Sequence, residues 1–181
     1  MSTALRHEIL QDSPGARACL LGNLAIVRGA LEAGVQFFSC YPGTPSSEIG
    51  DTFARIAKDA DVLFEYSVNE KIAVEVAFAA SLAGARAMCG MKHLGLNYAA
   101  DPISTMPYVG VEGGLVIVSA GDPSAITSPN EQDQPFQPVP VLSGLRSGDA
   151  GGRPEDDALR VRVFRTDPSA GGHASDDAGL P

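Results

Sequence analysis

The chain has 181 residues, enough for one domain with a real core, and 44% of them are hydrophobic, with no tryptophan. A formal charge of −9 and the lack of any lysine- or arginine-rich run exclude nucleic acid and anionic membranes as partners, since both need clustered cations. Cys19, Cys40 and Cys89 stand alone in apolar segments without the paired spacing of zinc or iron–sulfur ligands, so buried free thiols in a reducing compartment are expected.

The amino-terminal MSTALRHEILQDSPG has no signal-peptide core, and the longest apolar run, LVIVSA, is far too short to span a bilayer. A cytoplasmic protein is expected. From Arg17 the chain alternates helix and strand signals. ACLLGNLAIVRGALEAG predicts a short first strand and then a helix stopped by Gly34. VQFFSCY predicts a strand ended by PGTP, which cannot continue a ladder. SSEIGDTFARIAKDA places Ile49, Phe53, Ile56 and Ala57 on one helical face.

VLFEY predicts the next strand, and SVNEKIAVEVAFAASLAGAR the next helix, apolar enough on all faces to be buried on every side. ARAMCGMK and GGLVIVSA predict further strands, with NYAADPISTMPYV between them as a helix interrupted by prolines. Short, continuous, β-branched strands separated by helices imply an α/β fold, a three-layer parallel sheet with helices on both faces. There are no internal repeats.

After about Gln134 the composition turns to Gly, Pro, Asp, Ser and Arg, and only LRVRVF reads as a strand. Such sequence buries too little apolar area to offset the entropy of ordering it, so a disordered tail is expected. The predicted organisation is an extension over 1–16, a domain over 17–134 and a low-order tail over 135–181.

Four stretches carry candidate chemistry. Ser67-x-x-Glu70 has the pattern of a capping box, in which the serine hydroxyl and the glutamate satisfy helix N–H groups reciprocally. That reading leaves Glu75 unexplained, because a carboxylate inside a buried helix must face a partner, a cavity or another subunit. YPGTPSSEI, with Tyr41, Pro42, Gly43 and Thr44, builds a rigid loop at the carboxyl end of a strand, where ligands bind in open α/β sheets. It also reads as a plain connection with Ser46 or Ser47 as N-cap and Glu48 in the first turn.

MKHLGLNYAADP places Lys92 and His93 at another strand end, followed by Gly95 and Asn97, as either packing residues or site residues. SAGDPSAITSPNEQDQ adds a turn at Asp122 and Pro123 and a polar loop. GxGxxG and GxxxxGK[ST] are absent.

Taken in order, LLGNLAIVRGALEAG, YPGTPSSEI, YSVNEKIAVEVAFAASLAGARA, MKHLGLNYAADP, GGLVIVSAGDPS and NEQDQ resemble the start of the alpha subunit of indolepyruvate ferredoxin oxidoreductases. The resemblance runs from about Ala18 to Gln134 and, more broadly, is to the pyrimidine-binding domain of thiamine-diphosphate-dependent 2-oxoacid ferredoxin oxidoreductases. It implies that Glu70 is the catalytic acid that hydrogen-bonds the pyrimidine ring, at the expense of any capping contact. It implies that Tyr41, Pro42, Gly43, Thr44 and Asn97 border the cofactor, and that Thr44, Lys92 and His93 lie on the substrate side.

In that family aryl pyruvates are oxidatively decarboxylated to acyl-coenzyme A, with ferredoxin as electron acceptor. Its chains continue into a second α/β domain that holds the diphosphate through magnesium, and into a cysteine-rich segment for iron–sulfur clusters. This chain has neither a GDG…N motif nor clustered cysteines, so magnesium and the clusters are expected on other segments or partner chains, and no metal site here. The expected partners are a diphosphate-binding domain or subunit, other oxidoreductase subunits, and ferredoxin for the complete enzyme. The abrupt end of the resemblance implies a truncation or frameshift, or else a separate pyrimidine-domain subunit, with fewer strands than a complete domain. Two other readings stay open: one chain of a split thiamine-dependent 2-oxoacid decarboxylase, and a non-catalytic fragment.

Overall fold

A computed structural model describes residues 8–15, 17–121, 143–146 and 160–166, the last two segments through their backbone. Its sheet runs β2-β1-β3-β4-β6-β5, with β1 at Phe37–Cys40, β2 at Leu63–Tyr66, β3 at Ala87–Lys92, β4 at Leu115–Gly121, β5 at Ser143–Arg146 and β6 at Arg160–Thr166. The first four strands are mutually parallel, as the alternation of signals predicts, with Ser39 opposite Cys89 and Met91 opposite Ser119. β6 and β5 then join β4 in antiparallel pairing. Of the segment 135–181, only these two strands are described, and β6 coincides with LRVRVF. Asp122, Pro123 and NEQDQ lie outside the described residues.

The helices are α1 at Gly22–Glu32, α2 at Ser47–Ile56, α3 at Glu70–Leu82, α4 at His93–Tyr98 and α5 at Ala100–Val109. Gly34, at φ +73°, ends α1 as expected, in a conformation that costs a glycine little. The short strand expected before α1 does not form, and 17–21 carries no ladder. The interruption expected at the prolines falls instead at Ala99, between α4 and α5. Pro102 sits in the first turn of α5, where a missing N–H costs nothing, and Pro107 lies within it.

Two cores flank the sheet. On one face Phe38 stacks on Phe53 at 4.3 Å and on Phe64 at 6.0 Å, among Val27, Ile49 and Ile56 from α1 and α2. This buries the predicted apolar stripe of α2. On the other face Ala73, Val74 and Ala77 of α3 meet Cys89, Met91 and Ile117 with Leu96, Ile103 and Met106. The Ser39 hydroxyl donates to the Ala73 carbonyl at 2.6 Å and ties α3 to β1.

The expectation that α3 is buried on every side does not hold. Its buried residues are Ala73, Val74, Ala77 and Ser81, while Leu82 is 41% exposed. Glu75 lies on the open side and pairs with Lys71 at 3.9 Å, which in turn bonds Asp101 at 2.8 Å. A sheet and two short helices cover only part of a cylinder, so the carboxylate needs no cavity or second subunit. Cys40 and Cys89 are buried as expected, but Cys19 is exposed because 17–21 runs over the surface.

Candidate functional site

The carboxyl ends of β1, β2 and β3 lie side by side at one edge of the sheet. From β1 the chain leaves by loop 41–46 to α2 on one face, and from β3 it enters α4 on the other. The crevice between diverging connections is where open α/β sheets take ligands. The structure brings Tyr41, Pro42, Gly43, Thr44, Glu70, Lys92, His93 and Asn97 to that edge.

Loop 41–46 is braced from within. The Ser46 N–H and hydroxyl both donate to the Gly43 carbonyl at 2.8 Å. Ser46 therefore occupies the N-cap position of α2 without giving its side chain to the helix. The Thr44–Pro45 peptide is cis. Tyr41, Pro42 and Thr44 are exposed at the rim. Gly43 lets the loop lie on the next strand, since a Cβ there would stand 3.1 Å from Lys92 Cβ.

The capping box is not formed. Asn69 is the N-cap of α3, its side chain accepting the Ile72 N–H at 2.9 Å. The Ser67 hydroxyl donates instead to Glu65 at 2.9 Å. Asn69 directly precedes the first helical turn, and its short carboxamide reaches the kind of donor that a capping box assigns to Ser67. Glu70, the first residue of α3, is thereby released from capping duty and lies half-buried over α4. A Cβ on Gly95 would come within 2.5 Å of Glu70 Cγ, so the glycine is what admits the carboxylate to this place.

Lys92 and His93 meet at the junction of β3 and α4, with Asn97 farther along α4; His93 is 1% exposed, while Lys92 and Asn97 are half-buried. Behind the crevice, the Tyr66 hydroxyl donates to Asp51 at 2.8 Å; burial and this bond both raise its pKa. Burial, with the Asp51 carboxylate nearby, also pushes the Cys40 thiol up to about 12. Sequence reasoning missed Asn69, although an Asn directly before an apolar run is an N-cap signal in its own right. It also missed Asn23, whose amide donates to the Pro45 carbonyl at 2.8 Å and to Glu48 at 2.7 Å, because no local pattern marks a contact made so far along the chain.

A cavity of about 600 Å³ opens at the opposite edge of the sheet, lined by Ile26, Ala30, Met88, Leu115 and Val116. Among the described lining residues Arg86 alone is charged, and it donates to the Ala33 carbonyl at 2.6 Å. The cavity lacks convergent polar groups and is a weaker candidate than the crevice. Among the described residues no group of three or more His, Cys, Asp or Glu could hold a metal ion, and no helix is long and apolar enough to cross a membrane.

Residues 28–107 match the family described as pyruvate flavodoxin/ferredoxin oxidoreductase, thiamine diphosphate-binding. The chain is 55% identical to the indolepyruvate oxidoreductase subunit IorA of Pyrococcus horikoshii, over 74% of this chain and 21% of that protein. It is 53% identical to IorA of Archaeoglobus fulgidus over 70% of this chain and 21% of that one. A 2-oxoglutarate synthase subunit KorA from Archaeoglobus fulgidus is 35% identical over 62% of this chain and 33% of its own length. The chain thus spans about a fifth of the length of the IorA relatives. In fold it is similar to the 2-oxoglutarate:ferredoxin oxidoreductase of Magnetococcus marinus, with a TM-score of 0.52 and 22% identity, over 65% of this chain and 22% of the other. The family and IorA matches do not favour the split-decarboxylase expectation.

Proposed function

We propose, on the premise that the chain belongs to the pyruvate flavodoxin/ferredoxin oxidoreductase family through its thiamine-diphosphate-binding domain, that it holds the aminopyrimidine end of that cofactor in an indolepyruvate or related 2-oxoacid ferredoxin oxidoreductase. The observation that carries this reading is the freedom of Glu70. With Asn69 capping α3, the Glu70 carboxylate at the crevice has no capping task, and Gly95 makes room for it.

The residues fit the group. A half-buried carboxylate at a helix N-terminus suits a hydrogen bond to a ring nitrogen, and the braced loop suits a flat wall beside it. When bound, thiamine diphosphate supplies the nucleophilic carbon and electron sink for decarboxylating a 2-oxoacid. Glu70 would exchange a proton with the pyrimidine ring at a carboxylate oxygen. Tyr41, Pro42, Gly43 and Thr44 would wall the ring, and Asn97 of α4 would border it as well. Thr44, Lys92 and His93 would lie on the substrate side, with His93 buried at the start of α4.

The higher identity to indolepyruvate oxidoreductase subunits than to the 2-oxoglutarate synthase subunit favours aryl pyruvates as substrates. Coenzyme A, ferredoxin, magnesium and iron–sulfur clusters then belong to other segments or partner subunits. Exposed Tyr98, Tyr108 and Val109 along α4 and α5, and Leu63 and Val68 around β2, suit such subunit contacts. The buried, protonated thiols of Cys40 and Cys89 suit a cytoplasmic location.

The test is Glu70→Gln in the assembled oxidoreductase. Loss of aryl-pyruvate-dependent ferredoxin reduction with unchanged assembly is the expected result. Retained turnover would remove Glu70 from the chemistry.

A further inference from the structure

Asn23 is the second residue of α1 and is 8% exposed, far in sequence from every candidate site residue. An asparagine at a helix start is ordinarily a cap, accepting an N–H through its side-chain oxygen. That explanation fails here. The N-cap of α1 is Leu21, and Asn23 Oδ1 takes no donor among the described residues. The side chain is turned the other way, and its Nδ2 gives both bonds to the segment after β1: 2.8 Å to the Pro45 carbonyl and 2.7 Å to Glu48 Oε2. Burying an amide whose oxygen goes unused carries a desolvation cost, so those two bonds are what the placement achieves.

Their position matters. The Gly43 carbonyl is held by the Ser46 N–H and hydroxyl, and the Pro45 carbonyl by Asn23. Thr44 lies between the two anchored carbonyls, in the exposed-rim half of the loop. The Glu48 bond pins the first turn of α2 to the same point. Through this one residue α1 holds both the outer half of the loop and the helix that follows it.

We propose that Asn23 is a positioning residue that clamps Thr44 and the 43–46 wall against the crevice, so that α1 sets where that wall stands. Its importance to the cofactor rests on the thiamine diphosphate reading above; the clamp itself does not.

Two variants separate the bonds. Asn23→Asp at neutral pH has no donor, loses both bonds and sets a carboxylate against Glu48. In the double variant Asn23→Asp/Glu48→Gln the glutamine amide donates back to the introduced carboxylate, restoring the link to α2 but not the one to Pro45. Hydrogen exchange in the full chain reads the loop at the Ser46 amide, bonded to Gly43 O, against the Ala73 amide, bonded to Asn69 O in α3.

For Asn23→Asp we expect Ser46 to exchange roughly five- to tenfold faster than in the wild type, the scale of one or two lost hydrogen bonds, with Ala73 unchanged. The double variant should regain thermal stability while Ser46 stays fast. In the assembled enzyme its KM for thiamine diphosphate should stay raised with kcat less affected. Recovery of both exchange and KM in the double variant would overturn the clamp, leaving Asn23 to act through Glu48 alone. Equal loosening of Ala73 and Ser46 would reduce Asn23 to a general stabiliser and overturn it too. Fast Ser46 exchange with an unmoved KM would sustain the clamp and overturn the thiamine reading of the loop, so the two failures are distinct.

Discussion

Glu70 and Gly95 are in a contact that only glycine permits: a Cβ on residue 95 would stand 2.5 Å from Glu70 Cγ, 3.1 Å from Met91 Cβ and 3.2 Å from Glu70 Cβ. The obstructed atoms belong to the stem of the glutamate, not to its flexible tip, so a methyl group must move the carboxylate. Alanine otherwise favours a helix by up to about 1 kcal/mol over glycine. Overpacking a buried site costs about 1–3 kcal/mol, more than that gain, so Gly95→Ala is expected to lower the melting temperature modestly, while activity of the assembled enzyme falls on the order of a hundredfold, as for a small misplacement of a group at the reacting centre. Unimpaired turnover would show that the seat of Glu70 is immaterial to the reaction.

The N-terminus of α3 yields a second prediction, because two assignments rank the same pair of residues in opposite order. A capping box makes Ser67 the cap, but the observed cap is Asn69, through its bond to the Ile72 N–H at 2.9 Å. Asn69→Ala should cost about 1 kcal/mol in chemical denaturation, the usual worth of a cap. Ser67→Ala removes only a hydroxyl donated to an exposed glutamate and should cost less than that. The reverse ranking would restore the capping box and with it the structural task of Glu70.

How much of this was legible in the sequence depends on the range of the interaction. β1 to β4, α2 and α3 follow from short apolar runs and one helical stripe, because each element's own residues report the face it buries. The gathering of Tyr41–Thr44, Glu70 and Lys92 at one edge follows as well, since parallel strands place all their carboxyl ends together. What was not legible depends on which neighbour arrives. The apolar surround of Glu75 suggested complete burial, but α3 has the sheet on one side and open space on the other. Asn23 meets Pro45 and Glu48 only through the packing of α1 beside α2. The antiparallel pairing of β6 with β4 could not be read from LRVRVF, which as an isolated run has no preference for direction.

The cysteines give a pH dependence whose sign is fixed. Burial raises the Cys40 thiol from 9.0 to about 12, so the folded state prefers it protonated. Below pH 9 both states keep the proton and the contribution is complete. Between about 9 and 12 the unfolded chain loses its proton first, so stability falls as pH rises through that window. Denaturation midpoints should decline from pH 9 upward, and Cys40→Ala should flatten that slope whatever it does to the midpoint itself. At pH 8, iodoacetamide should label exposed Cys19 in the native chain, with Cys40 and Cys89 reacting only on unfolding. Rapid native labelling of all three would contradict the burial on which this rests.

Thiamine diphosphate binding by the 181-residue chain supplies the last prediction. On the proposed reading the crevice would offer the pyrimidine ring one carboxylate and a braced loop, which orient a ligand more than they hold it. Much of the polarity of this cofactor lies in its diphosphate, an anion that on the proposed reading would be held through magnesium on another segment or subunit. Among the described residues no cluster of acidic or histidine side chains could hold that ion. Calorimetric titration of the chain with thiamine diphosphate and magnesium should therefore show no saturation in the micromolar range. Adding a diphosphate-binding partner should create binding that Glu70→Gln then weakens. Tight, magnesium-dependent binding by the chain alone would mean that it carries its own diphosphate site and that the crevice at the ends of β1 and β3 is only part of the binding surface.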